Sequence, residues 1–223
     1  MNRIGIGAAS VSCLAVALLA GCATLNESEC HTVDWRELGR SDGAHGYEAS
    51  RLGEHIEACG KYGITPDAAA YGSGREEGLQ LYCQPTNAVN EGRSGNSYRS
   101  VCPGERNLMF SHYYQRGLAL RQLDADVGDI SSALDAQRRA MNDCRDLDLY
   151  KMLNQNARYL EAQLRYTQDF LDHAERDVAA DRDPRPYSAG RWQNDLPYPD
   201  ALDQVRRAQN RQQHKGDDAG ARS

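Results

Sequence analysis

Large apolar side chains are scarce in this chain: two phenylalanines and two tryptophans stand among 223 residues, and twelve tyrosines supply most of the aromatic surface. A core built from so few large hydrophobes is thin for this length, so other devices must help to hold it. Basic excess is missing as well. Lys and Arg number 26 against 32 Asp and Glu, and the resulting net charge of −6 argues against a nucleic-acid partner. The sequence contains no Gly-x-Ser-x-Gly elbow, no His-Glu-x-x-His, no Ser-x-x-Lys and no Gly-Lys-Ser/Thr phosphate loop, which removes the familiar signatures of hydrolases and nucleotide enzymes. After residue 21 there is no long hydrophobic run.

One apolar run does occur, at the very start. Arg3 provides a positive end, Ile4 to Ala20 a stretch too short and glycine-rich for a comfortable spanning helix, and Leu19-Ala20-Gly21-Cys22 a lipobox. Residues 1–21 therefore read as a removable leader, with Cys22 as the lipid-bearing first residue. Several acyl chains on one residue, at ~0.8 kcal/mol per buried methylene, hold firmly to a bilayer. Ala23 follows where an aspartate would signal inner-membrane retention, so the expected address is the periplasmic face of the outer membrane, reached through a polar tether over 22–29.

That compartment oxidises thiols. With Cys13 lost in the leader and Cys22 acylated, Cys30, Cys59, Cys83, Cys102 and Cys144 remain, an odd number. Bridges Cys30 to Cys59 and Cys83 to Cys102 are the expected pairs, although the sequence permits other connectivities. Cys144 is then a free thiol or the site of an intermolecular bridge in a homodimer. Cys30-His31 with His55 and Cys59 also offers the ligand types of zinc, but outside the cytosol disulfides are the commoner fate of such cysteines, and neither pair follows a finger spacing. The reading is no resident metal and no cofactor.

Residues 30–106 are rich in glycine beside aromatics: Trp35 before Gly39, Gly43 and Gly46, Tyr71 before Gly74 and Gly78, and Gly92 and Gly95 before Tyr98. The pattern is a degenerate internal repeat of irregular period. Around it the periodicity is helical, with Ala49, Leu52, Ile56 and Cys59 on one face, and Thr65-Pro66-Asp67 opens a helix expected over about 66–84. Glycine inside a helix costs up to ~1 kcal/mol against alanine. Spaced three or four apart, such residues imply a flat stripe on which another backbone or an aromatic ring packs. Breaks are expected at Pro85-Thr86-Asn87 and Cys102-Pro103-Gly104.

From 107 the pattern becomes heptad-like. Leu120, Leu123, Val127, Ile130, Leu134 and Met141, with Gln137 between the last two, then Leu153, Ala157, Leu160, Leu164, Thr167, Leu171, Ala174 and Val178, step by three and four. The short polar link 143–148 joins two antiparallel helices, so 107–180 reads as a coiled-coil hairpin, either packed back on the glycine-rich half or projecting as a docking arm. Residues 181–223 read as a disordered tail, with Trp192, Leu196, Tyr198 and a helical signal over 201–213 as a segment that binds a partner or folds back. The fold class is thus all-α: a disulfide-stabilised glycine-rich base, a helical hairpin and a tail.

Taken together, Cys30, Asp34-Trp35, Gly39, Asp42-Gly43, Gly46, His55, Cys59, Pro66-Asp67, Tyr71, Gly74-Arg75, Gly78-Leu79, Tyr82-Cys83, Gly92, Gly95, Tyr98 and Val101-Cys102-Pro103 resemble bacterial lipoproteins grouped as domain of unknown function 2799, over about 30–180. The resemblance implies a small envelope lipoprotein and adds no mechanism. Candidate polar residues for a site are Asp34, Asp42, His45, His55, Asp67 and Arg75. An envelope-polymer hydrolase would use Asp42 or His45 as general base. However, Asp42-Gly43 reads more naturally as a turn or cap, Asp34 as an N-cap and His55 as a surface or packing residue, so no catalytic residue is assigned. The expectation is a structural or adaptor protein with an envelope protein as partner.

Overall fold

The structure, a computed structural model, describes residues 24–220, with side chains described as far as 211; the leader, Cys13 and Cys22 lie outside the described residues. Regular structure among these residues is entirely helical: α1 (Glu27–Thr32), α2 (Trp35–Ala44), α3 (Arg51–Gly60), α4 (Ala68–Tyr82), α5 (Pro85–Ser94), α6 (Glu105–Asp143), α7 (Leu147–Ala179), α8 (Arg191–Asn194) and α9 (Ala201–Gly220). Local sequence explains many of the starts. Asn26 and Glu29 form a reciprocal capping box on α1. Asp34, Asp67 and Asp146 each accept two backbone N–H groups at the heads of α2, α4 and α7. Pro85 does break the chain, but it also occupies the first turn of α5, whose far end is closed by Gly95 at φ +76°.

The glycines pair the helices. α2 and α4 cross in the same chain direction, Gly39 and Gly43 facing Gly74 and Gly78. A methyl on Gly43 would land on the Arg75 carbonyl, and one on Gly78 on the Arg40 carbonyl and the Ala44 nitrogen. The contact recurs between α5 and α6, where Gly92 lies on the Tyr114 carbonyl and Leu118 nitrogen, and Gly117 on the Val89 carbonyl and Arg93 nitrogen. Gly43 corresponds to Gly92, Gly78 to Gly117, and the buried rings Tyr71 and Phe110 correspond about two turns before Gly78 and Gly117. The degenerate repeat is therefore a repeated helix crossing, and its period is irregular because the two return segments differ. Parallel helices require a connection that runs back along their length; α3 with its flanking loops serves the first pair, the shorter loop 95–104 the second.

Two bridges staple these units. Cys30 joins Cys59, and Cys83 joins Cys102. All four cysteines are buried, and they belong to two clusters: one with Leu25, Trp35, Leu38 and Ile64, the other with Leu79, Tyr82, Ala88 and Phe110. Phe110 stacks between Tyr82 and Tyr98, at ring separations of 5.0 and 4.3 Å, so tyrosines carry the aromatic packing.

At 39 residues α6 extends about 58 Å. Its first third belongs to the base, and α7 runs back along it: Ile130 and Leu134 meet Ala157 and Leu160, while Leu120 and Leu123 meet Ala174. The root of this pair is embedded, since Arg93 of α5 donates to Asp124 of α6 at 2.8 Å and to Glu175 of α7 at 2.6 Å. On α7 the buried positions Leu153, Leu160, Thr167 and Ala174 recur every seventh residue. On α6 the buried position is Asp126, not the Val127 that the apolar periodicity selects.

The tail departs from expectation: residues 181–211 fold back along the α6–α7 pair instead of remaining a disordered tail. Arg116, 7% exposed, takes Asp181 and Asp183 at 2.7 and 2.8 Å. Buried Asp126 accepts the Gly190 N–H at 2.9 Å. Trp192 then enters the cluster of Ile130, Leu134, Ala157 and Leu160. Buried Asn156 exchanges two hydrogen bonds with the backbone of Tyr198, at 2.8 and 2.9 Å, and Ala201 and Val205 of α9 close over Leu149 and Leu153. The physical reason is backbone satisfaction. Asp126 and Asn156 meet the polar backbone of an irregular strap, which lets it lie against an apolar surface.

Candidate functional site

The polar residues singled out in the sequence do not converge on one opening. Asp34 and Asp67 are spent as helix caps. His45 ends α2, its Nδ1 2.7 Å from the Ser41 carbonyl. Arg75 donates through Nη2 to the Tyr47 carbonyl at 2.8 Å. Cys144, the one free cysteine among the described residues, sits between α6 and α7 with its thiol 3.3 Å from the Asp146 carbonyl.

Two candidates, Asp42 and His55, do meet, and Tyr71 joins them. Asp42 is not in a turn: it lies inside α2, where the close approach of α4 permitted by the glycines turns it inward. Its Oδ2 accepts from the Tyr71 hydroxyl at 2.7 Å and from His55 Nε2 at 2.8 Å, and the Thr24 hydroxyl lies 2.7 Å from His55 Nδ1. Burial, reinforced by the bond to Asp42, pushes the Tyr71 hydroxyl well above its ordinary pKa and keeps it a donor. His55, Asp42 and Tyr71 are 2%, 5% and 1% exposed, so this cluster is a closed network that ties α1's leading segment, α2, α3 and α4 together. Sequence reasoning did not select Tyr71 for it; the signal available was an aromatic on the glycine face of α4.

Such a network is demanding of shape and charge. Asp42→Asn retains one acceptor oxygen for two donors, and the expected cost is about 1–3 kcal/mol. Urea denaturation should report it as a lower midpoint at unchanged slope, and Tyr71→Phe in the same background should recover part of the loss by removing the orphaned donor.

The zinc constellation is not assembled. Cys30 and Cys59 are bonded to each other, His31 is exposed, and His55 is engaged by Asp42 and Thr24. Among the described residues there is no group of three or more His, Cys, Asp or Glu side chains placed to hold a metal ion.

An open concavity lies elsewhere, between α7 and the returning strap. It has a volume of about 300 Å³ and is walled by Tyr166 and Phe170 of α7 and by Tyr187, Arg191, Trp192 and Asp195 of the strap. Tyr166 is 57% exposed, whereas Trp192 is buried and its Nε1 lacks an acceptor. None of these residues stood among the sequence candidates for a site, although Trp192 and Tyr198 had marked the region.

Residues 34–119 match the model of the family described as Protein of unknown function (DUF2799). The resemblance drawn from the cysteine, glycine and aromatic pattern holds for that stretch, which spans α2 to α5 and the first part of α6. It ends well short of residue 180, so most of the α6–α7 pair and the strap lie beyond it. No curated protein and no solved structure matches the chain.

Proposed function

We propose that this protein is a cell-envelope lipoprotein of structural or adaptor type, held to the periplasmic face of the outer membrane through acylated Cys22 and presenting the α6–α7 pair and its strap to an envelope partner. The observation that carries the reading is the docking of the first described residues. Leu25 is buried in the Cys30–Cys59 cluster, Thr24 is bonded to His55, and α1 starts at Glu27. Residue 22 precedes Thr24 by two positions, so an acyl-bearing Cys22 stands within about 7 Å of the body along the chain. The polar tether is thereby shortened to almost nothing, and the anchor sets the body's height above the bilayer. No helix of the described residues is long and apolar enough to cross a membrane.

Mass spectrometry of the protein isolated from its native envelope tests this. The expected N-terminus is a diacylglyceryl, N-acylated Cys22, and Cys22→Ser should move the protein from the membrane to the soluble fraction. An unmodified N-terminus, or membrane retention of the variant, overturns the reading. Cys144 offers the adaptor a covalent reporter: a bridge to a partner or to a second copy would shift the protein on a non-reducing gel.

A further inference from the structure

The cleft between α7 and the strap has features that core packing does not require. Tyr166 lies 6.1 Å from Phe170, and Phe170 lies 5.2 Å from Tyr187, so three tilted rings form a continuous apolar wall. Tyr166, at the solvent end of that wall, keeps 57% of its surface exposed. Facing it, Arg191 and Asp195 approach to 3.7 Å, too far for a hydrogen bond, and both side chains remain largely exposed. Trp192 contributes a buried indole N–H with no acceptor. Gln163 lies one turn before Tyr166 on the same helix and lines the same space.

We propose that this cleft binds a saccharide chain. A pyranose ring presents an apolar C–H face and an equatorial belt of hydroxyls, and the cleft offers the complement of both: the exposed face of Tyr166 for stacking, and Asp195, Arg191 and Gln163 for hydroxyls that donate and accept. Other ligand classes fit less well. A purely apolar ligand would make no use of the carboxylate and guanidinium at the cleft's mouth. A proline-rich peptide supplies carbonyl acceptors but few N–H donors for Asp195. A nucleotide phosphate would have to compete with Asp195 for Arg191 in a chain of net charge −6. Saccharide binding goes beyond the lipoprotein reading and is independent of it, because nothing in the cleft involves residue 22.

Calorimetry on the full protein, isolated from the envelope in a polyoxyethylene detergent free of sugar headgroups, tests the proposal. Two probes distinguish the source: an N-acetylglucosamine tetramer for amino-sugar strands and maltotetraose for neutral glucans. Saturable binding of either is the expected result, accompanied by a shift in Trp192 emission when Trp35→Phe removes the other indole. Tyr166→Ala and, separately, Asp195→Ala should each weaken binding by about tenfold or more, with melting temperature unchanged for these exposed side chains. The proposal is overturned if neither sugar binds, if a proline-rich peptide binds where the sugars do not, or if both variants retain full affinity. Because the anchor plays no part, Cys22→Ser should bind the sugar as the parent does, whichever way the lipidation experiment falls.

Discussion

Gly78→Ala is expected to lower the stability of the protein by about 3 kcal/mol or more, a fall in melting temperature of roughly 6–12 °C for a chain of this size. The added methyl would meet only backbone: the Arg40 carbonyl oxygen, the Ala44 nitrogen and the Gly43 carbonyl carbon. A flexible side chain could swing aside, but two helix backbones can separate only by moving as bodies. Such movement would open the α2–α4 crossing and pull Tyr71 away from Asp42 and His55. Gly128→Ala supplies the control. Gly128 lies inside α6 with nothing within 4 Å of the added methyl, so the substitution should stabilise by about 0.5–1 kcal/mol through helix propensity alone. Opposite signs for two Gly→Ala changes, both in helix interiors, isolate interhelical contact from propensity. Equal, small effects would mean that the crossing is looser than the structure shows.

The legible part of this fold was the part encoded locally. Glycines at 39, 43, 74 and 78 carry their meaning in their spacing, because side chains one turn apart share a face and only glycine lets a second backbone rest there. Asp34 marks a helix start by residue type alone. The second crossing was fainter: Gly92 and Gly117 have no second glycine one turn away inside their helices, so no close pair announces them. What failed was whatever depended on distant partners. Asp42-Gly43 looks like a turn until His55 and Tyr71, 13 and 29 positions away, are known to face the carboxylate. Asp126 and Asn156 are polar interruptions of apolar seams, and a seam read by hydrophobicity passes over them. Their partners are backbone groups of Gly190 and Tyr198, which no composition can foretell. A strap rich in proline, arginine and aspartate therefore read as disorder. The cleft was hidden for the same reason, since it exists only where α7 and that strap come together.

The largest expected effect comes from reduction of the two bridges. In the chain-entropy account, cross-links spanning 29 and 19 residues each stabilise by about 3–4 kcal/mol, and a domain's total margin is about 5–15 kcal/mol. The base has little to fall back on. Its two bridged clusters contain one phenylalanine, Phe110, and the bridging cysteines are themselves buried parts of them, with Cys59 at 0% and Cys83 at 1% exposure. Beyond the base, the α6–α7 pair is held by Ile130, Leu134, Leu153 and Leu160, none of which touches a bridge. Full reduction should therefore split one cooperative transition into two, with helical signal from the outer part of the pair surviving the loss of the base. Paired Cys→Ala variants resolve the contributions. Because the bridges lie in different clusters, the two deficits should add to within about 0.5 kcal/mol. Thermal melts followed by far-ultraviolet dichroism, with and without reductant, make the comparison. A single unshifted transition in reductant would mean that the glycine crossings alone hold the base, and would transfer to them the role assigned here to the sulfurs.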